Sequence, residues 1–309
     1  MLSGIGPQKQ LESFGIEVLA DLPVGENLQN HPALNINYLV KEEYQYLVTK
    51  GDPTMTVDNL YEYYTNRSGV WAQYYISLTF LSTKSNPDTD WPNVALLSVP
   101  LRAGKDLDHF GANPFGARKQ EWEEYYGDFF GKNYLYIVPT LERVKSFGYV
   151  RLLSSNPFVY PEINPLFLTH PQDYQDFVDF LKFVFFIYER SSIAKYILPH
   201  KPIPGCYFCL NQRYVYECDD YIKCVIRGLI YTSYHPVGTC RMGDPNRPDT
   251  VLDPRLRVKG FDGLRVCDAS VMPVVTNGNT NAPSMMIGEK CADLIKEDHH
   301  LFKHYESTY

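Results

Sequence analysis

The hydrophobic pattern of this chain predicts a mixture of helices and strands. Between Asp173 and Arg190, apolar residues return at every third or fourth position, which places them on one face of a helix. We expect this face to pack into a core. Its members are Phe177, Phe180, Leu181, Val184 and Tyr188.

Three more helices are expected. A short helix over Pro7–Phe14 has a proline in its first turn and is ended by Gly15. Another is expected over Ile222–Ile230, and a last helix begins at Pro283. The buried stripe expected on the last helix consists of Ile287, Cys291, Leu294 and Ile295.

Apolar or alternating runs predict the strands. The runs at residues 34–40, 71–82 and 94–99 are expected to form strands and a buried helix. Other short strands are expected at residues 16–19, 134–138, 148–153, 256–258 and 264–266. By contrast, Lys105–Gly131 is polar, Gly-rich and aromatic, and we expect it to form a long surface loop that acts as a lid.

Composition and charge narrow the class of protein. The chain has 309 residues, of which 44% are hydrophobic and 21% charged, as in a globular protein of about two domains. Its net charge of −7 argues against nucleic acid or an anionic membrane as a partner, because both require a basic surface. No apolar run approaches the ~18 residues that span a bilayer. We therefore expect no nucleic-acid partner and no membrane partner.

Four of the seven cysteines lie close together, which leaves two interpretations open. The first is a zinc site, for which the CxxC pair fits but the spacing of the second pair does not. The second is disulfides or buried thiols, which the spacing favours, so no metal site is expected. The four are Cys206, Cys209, Cys218 and Cys224.

The candidate chemistry lies in two stretches, YTSYHPVGTCRMG at 231–243 and DASVMPVVTNGNTNAP at 268–283. The first contains His235, whose imidazole can move protons near neutral pH. The second contains Asn279 and Asn281, whose amides can hydrogen-bond a substrate oxygen without taking its proton. A loop histidine and turn-forming asparagines are the alternative interpretation.

These stretches resemble the C-terminal half of the glucose–methanol–choline (GMC) oxidoreductases, flavin enzymes that oxidise alcohols. The matching segments are, in chain order, HPVGTCRMG, VLDPRLRVKGFDGLRVCDASVMP and NGNTNAPSMMIGEKCADLI. The beginning, SGIGP followed by LESFGIEVLADLPVGENLQNHP, is similar to the middle of such an enzyme. The resemblance is weakest between Leu34 and Tyr134. Within the family, the sequence most resembles the insect glucose-dehydrogenase-like members.

The resemblance implies an α+β fold: a GMC-type substrate domain, mainly antiparallel sheet with helices, plus the C-terminal remnant of an FAD-binding domain. No G-x-G-x-x-G phosphate loop occurs, so we expect a fragment without the dinucleotide-binding half, inactive by itself. The expected parts are an FAD-domain remnant at 1–32, the substrate-binding domain at 33–224, the C-terminal FAD-domain part with the active site at 225–300, and a tail at 301–309.

The resemblance also implies a cofactor, FAD, a small-molecule alcohol as substrate, and oxygen or a quinone as electron acceptor. His235 matches the general base of the family and Asn279 the residue that faces it, with Asn281 as the runner-up for that second position. His31, in NLQNHP, matches a segment that lies across the flavin and receives no catalytic role. The residues expected to contact FAD are Tyr234, Asp268, Ala269, Thr280 and Asn281.

Two functions therefore remain open. The intact HPVGTC and GNTNAP motifs favour an FAD-dependent alcohol oxidoreductase. The missing phosphate loop favours a non-catalytic GMC-derived fragment or binding module. A zinc-dependent alcohol dehydrogenase is a third possibility that rests on the cysteine cluster alone.

Overall fold

The computed structural model describes residues 1–47, 56–69, 72, 77–102 and 119–301. Helices mix with a largely antiparallel sheet, which confirms the expected α+β fold. The chain divides into two units. The first unit comprises residues 1–31, 142–173 and 234–309, and the second comprises residues 32–141 and 174–233. Residues 142–173 thus belong with the chain ends, whereas the expected boundaries group them with 33–224.

The described residues of the first unit form short strands and helices, numbered here along the whole chain. Strand β1 (Ile5–Gly6) pairs in parallel with β2 (Ala20–Asp21), and β8 (Tyr149–Arg151) pairs antiparallel with β9 (Glu162–Asn164). The strand expected at residues 16–19 does not form there, and the chain pairs at Ala20–Asp21 instead. The helices are α1 (Gln8–Ser13), which agrees with the prediction, and α6 (Asn281–Asp298).

The two strands expected near residues 256–258 and 264–266 do not form. This region contains single bridges instead, Leu252 with Val258 and Arg257 with Arg265. The reason is local: one carboxylate oxygen of Asp253 accepts the backbone N–H groups of Arg255 and Arg257, at 2.8 and 2.9 Å. A side chain that binds its own backbone in this way turns the chain and competes with a strand.

Helix α6 begins at Asn281 and not at Pro283, so the proline sits in the first turn, where no helical N–H is needed. The predicted stripe is buried at Ile287, Cys291 and Leu294, but Ile295 is 39% exposed. Asp298, at the end of the helix, forms salt bridges with three arginines. Hydrogen bonds from these arginines, above all the one from Arg257, hold the pKa of Asp298 well below its usual range. The three are Arg255, Arg257 and Arg265.

The second unit is built around an antiparallel sheet. In its described residues the strand order is β10–β3–β7–β6–β5, with β4 also paired to β7. The long central pair β6–β7 runs in register from Val94 opposite Leu141 to Arg102 opposite Asn133. The strands are β3 (Pro32–Ala33), β4 (Ile36–Leu39), β5 (Ser77–Leu81), β6 (Val94–Arg102), β7 (Asn133–Leu141) and β10 (Tyr231–Thr232).

Helices pack with this sheet. The predicted amphipathic helix is present as α4 (Pro171–Arg190), and each apolar residue of its predicted face is 5% exposed or less. The prediction of a long surface loop at Lys105–Gly131 is partly wrong, because residues 119–126 form a helix in which Trp122, Tyr125 and Tyr126 are buried. Residues 105–118 of the predicted loop lie outside the described part. The other helices are α2 (Val57–Tyr61), which continues as a π-helical turn (Glu62–Asn66), α3 (Lys119–Tyr126) and α5 (Asp219–Leu229).

The clustered cysteines form two disulfides, Cys206–Cys224 and Cys209–Cys218. The four cysteines that were considered as zinc ligands are thus bonded to one another in pairs. In the first unit a third disulfide, Cys267–Cys291, fastens α6, and Cys240 is free. Among the helices of the described residues, none combines the length and the apolar character needed to cross a membrane.

Candidate active site

His235 lies on a loop of the first unit that is fixed by neighbouring backbone. Val237 and Gln29 exchange both backbone hydrogen bonds, at 2.9 and 3.0 Å. The backbone N–H of His235 donates to the side-chain oxygen of Asn30 at 3.0 Å. Gly238 has a φ of +92°, and a Cβ there would lie 2.5 Å from the carbonyl oxygen of Asn27, so only glycine fits. The loop that carries His235 is therefore held against residues 27–30.

A second segment approaches His235 from the region before α6. The buried side chain of Gln29 donates to the carbonyl of Pro273 at 3.0 Å and accepts the N–H of Val275 at 3.1 Å. A few residues later, the N–H of Gly278 donates to the carboxylate of Glu142 at 2.6 Å. These bonds fix the backbone that presents Asn279.

Both nitrogens of the His235 ring have a side-chain partner. Its Nε2 lies 3.3 Å from the amide nitrogen of Asn279. Its Nδ1 lies 3.0 Å from Nδ1 of His31, and the two rings meet edge to face at 83°. That same nitrogen of His31 lies 3.5 Å from a carboxylate oxygen of Glu142. The structure thus brings His235 and Asn279 together, with His31 and Glu142 behind them.

Burial governs the charge of these groups. His31 is 0% exposed and Glu142 is 3% exposed, whereas His235 is half-buried and Asn279 is exposed. Burial lowers the pKa of His31 to about 3, an effect to which the charge of His235 adds. Burial also lowers the pKa of His235, and it raises the pKa of Glu142 to about 7 against the effect of the Gly278 N–H. Both imidazoles are therefore neutral near pH 7.

The residues expected to contact FAD lie in the same unit. Tyr234 is 58% exposed and has a φ of +59°, a left-handed conformation that is uncommon for residues other than glycine. Asp268 accepts the N–H of Ser270 and caps the short 3-10 helix that contains Ala269. Thr280 is buried immediately before α6, and Asn281 is exposed as the first residue of that helix. Of the two asparagines, Asn281 is the exposed first residue of the helix. The side chain of Asn279 is the one that reaches the ring of His235.

Sequence reasoning assigned no role to His31 and missed Glu142 and Gln29. His31 is separated from His235 by 204 positions, so no local pattern joins them. Glu142 occurs in LERVKSF, a stretch that only suggested a turn. The sequence signal was the run Gln29, Asn30 and His31, three consecutive polar residues that are all buried.

The chain is similar to several known proteins. A family model described as GMC oxidoreductase matches residues 144–288. Ecdysone oxidase of Bombyx mori is 34% identical over 310 residues, which cover 96% of this chain and 42% of that protein. Alcohol dehydrogenase (acceptor) of Pseudomonas putida is 32% identical over 296 residues, which cover 96% of this chain and 48% of that protein.

The fold has solved counterparts as well. The formate oxidase of Aspergillus oryzae RIB40, an FAD protein, has a TM-score of 0.73 at 24% identity, over 97% of this chain and 52% of that one. The chain spans about half the length of the relatives that it matches. Family match, relatives and fold agree, and residues 144–288 are therefore identified as a GMC oxidoreductase domain.

Proposed function

We propose that this chain carries the proton-accepting part of the active site of an FAD-dependent oxidoreductase that converts an alcohol to a carbonyl compound. The observation that carries the proposal is the arrangement around His235. Its Nε2 is turned toward the exposed amide of Asn279 at 3.3 Å, and its Nδ1 is held by a buried partner at 3.0 Å. A ring that is held at Nδ1 by a buried partner, and whose Nε2 faces an exposed side chain, is suited to act as a base.

His235 takes the hydroxyl proton in this proposal. Burial lowers the pKa of its imidazole, so the ring is unprotonated at neutral pH and has a lone pair available. Asn279 can hold the alcohol oxygen but has no site that takes up a proton at neutral pH. Removing the proton makes the oxygen negative, which weakens the carbinol C–H bond toward loss of hydride.

The residues at the start of α6 fit a flavin. The first backbone N–H groups of a helix have no partner within the helix and carry partial positive charge. At this end Asn281 and Ala282 are exposed, and Met285 and Met286 are 60% and 59% exposed. Polar donors beside apolar surface match a flat ring with a hydrogen-bonding edge. Tyr234, Asp268, Ala269, Thr280 and Asn281 are the residues we propose to hold it.

FAD, when bound, would supply the acceptor for the hydride, and oxygen or a quinone would reoxidise it. The substrate class proposed is a small-molecule alcohol, in keeping with the alcohol dehydrogenase and ecdysone oxidase that the chain is similar to. We assign residues 1–32 and 225–300 to the cofactor, and the residues of 33–224 outside 142–173, which group with the chain ends, to the substrate.

The proposal is tested by mixing an alcohol with protein and FAD in the absence of oxygen. The protein should be expressed in the full form that its gene encodes, and offered a panel of primary and secondary alcohols. We expect at least one alcohol to bleach the oxidised-flavin absorbance, with formation of one carbonyl product per flavin. Bound flavin that no alcohol of the panel reduces would refute the proposal and favour a non-catalytic binding module.

The two asparagines provide a matched pair of variants. We expect Asn279→Ala to slow alcohol-dependent flavin reduction about 10-fold, because it removes one hydrogen bond near the reacting oxygen. Asn281→Ala removes an amide of the same size two positions away, and we expect a smaller loss. Single-turnover rates at saturating alcohol measure both. A larger loss for Asn281→Ala would transfer the oxygen-binding role to that residue.

A further inference from the structure

His31 and Glu142 form a buried pair behind His235 that the proposed chemistry has not yet used. Their exposed fractions are 0% and 3%. Burial of an imidazole and a carboxyl costs free energy unless they find partners, so a buried titratable pair beside a half-buried base calls for an explanation. The titratable groups that face His31 are His235 and Glu142, at 3.0 and 3.5 Å.

The distances show which titratable partner of His31 is hydrogen-bonded to its Nδ1. A separation of 3.0 Å between Nδ1 of His31 and Nδ1 of His235 is a normal hydrogen-bond length. The 3.5 Å from the same nitrogen to Glu142 is longer than the usual range for N–H···O. Glu142 instead accepts the N–H of Gly278 at 2.6 Å. It therefore acts on the histidine pair mainly through its charge.

The same contacts favour one position for the proton on His235. The amide nitrogen of Asn279 only donates, and it faces Nε2 of His235 at 3.3 Å. Nε2 of the neutral ring is then the acceptor, so the ring proton lies on Nδ1. That proton is donated to Nδ1 of His31, which must be unprotonated there. This tautomer leaves the lone pair of Nε2 facing the exposed amide of Asn279, where an alcohol hydroxyl can replace that amide as the hydrogen-bond donor.

We propose that His31 and Glu142 are positioning residues that prepare His235 to act as a base. His31 holds His235 in the Nδ1–H tautomer, and the carboxylate of Glu142 balances the positive charge that appears when Nε2 accepts the alcohol proton. The Nδ1–H bond to His31 persists throughout, so His31 neither gains nor loses a proton. This inference rests on the proposed role of His235.

The charge of Glu142 adds a dependence on pH. Burial raises its pKa to about 7, so the carboxylate is present above that pH and is neutralised below it. A positive His235 loses its nearby counter-charge as Glu142 takes up a proton. Acidification should therefore slow the reaction by protonating two coupled groups, Glu142 and His235.

The tautomer of His235 can be read directly, without substrate or turnover, by nitrogen NMR of the protein labelled with ¹⁵N-histidine. The signals of His235 are assigned from their absence in His235→Gln. We expect wild type at pH 8 to show a protonated Nδ1 and an unprotonated Nε2. In His31→Leu we expect a mixture of the two tautomers, and in His31→Asn, whose side-chain oxygen can accept at the same place, a return toward Nδ1–H. A protonated Nε2 in wild type would overturn the inference, whichever variants fold.

Glu142→Gln separates charge from shape, because glutamine retains an oxygen to accept the N–H of Gly278. We expect the maximal rate of flavin reduction to fall about 10-fold, and the acid limb of the rate–pH profile to move to lower pH by about one unit, as expected for loss of a nearby negative charge. A residue that only fills space would leave the limb where it is, and an unmoved limb refutes the role of Glu142.

The two experiments distinguish this inference from the proposed function. Protein that shows the Nδ1–H tautomer but oxidises no alcohol would refute the function and not the geometry. Protein that oxidises alcohols while His235 carries its proton on Nε2 would refute the positioning role and leave the alcohol oxidoreductase activity standing.

Discussion

Replacing His235 with alanine should slow alcohol-dependent reduction of the flavin by ~10²- to 10⁴-fold, the usual contribution of a positioned general base. The variant retains the backbone N–H that donates to Asn30, so the loop should keep its path. Flavin content should change little, because the ring removed belongs to the proton-accepting side of the site. Single-turnover stopped-flow at saturating alcohol measures the step, and the flavin-to-protein absorbance ratio measures cofactor content.

His299→Ala is the control for that loss. His299 is an exposed imidazole just after the end of α6, so its removal changes composition in the same way without touching the site. It should react at the wild-type rate. Normal turnover by His235→Ala with full flavin would remove His235 from the mechanism.

The second large effect concerns the stability of the second unit in acid. His200 is 6% exposed there, its Nε2 lies 2.8 Å from the hydroxyl of Tyr221, and burial lowers its pKa to about 3 from the ordinary 6.5. Below pH 6.5 the unfolded chain binds a proton that the folded chain does not. The free energy of unfolding should therefore fall as the pH drops, by about 3 kcal/mol between pH 7 and pH 4.

His200→Gln tests this expectation, since glutamine can keep a bond to Tyr221 but does not titrate. Denaturant unfolding at several pH values should show a loss of stability between pH 7 and pH 4 that is about 3 kcal/mol smaller than in wild type. Equal losses in both proteins would contradict it. In the first unit the same loss from His31 is offset by Glu142, whose raised pKa favours the folded state as the pH falls from about 7.

The parts of the fold that sequence predicted well are those set by local periodicity. Helix α4 and its buried face follow from a pattern that repeats along one segment, and β6 and β7 from dense apolar runs. The strands expected at 256–258 and 264–266 failed because Asp253 turns its own backbone, a contact that hydrophobic pattern does not register. The start of α6 was displaced because a proline fits anywhere in the first helical turn.

The candidate site divides in the same way. His235 and Asn279 stand in text that matches the family, and could be named from sequence. His31 and Glu142 come from distant segments, and their pairing depends on how residues 27–31 and 142 pack in the folded unit. Burial of a polar side chain is a tertiary property, so the charge state of the site could not be inferred before the fold.

The pH dependence of flavin reduction in wild type and His235→Ala tests the central claim, that His235 accepts the alcohol proton. Single-turnover rates at saturating alcohol should be measured from pH 5 to pH 9. We expect the wild-type rate to fall in acid as the imidazole becomes protonated, and the variant to be slow with that limb lost. An acid limb that persists at full amplitude in His235→Ala, with a rate near that of wild type, would contradict the claim.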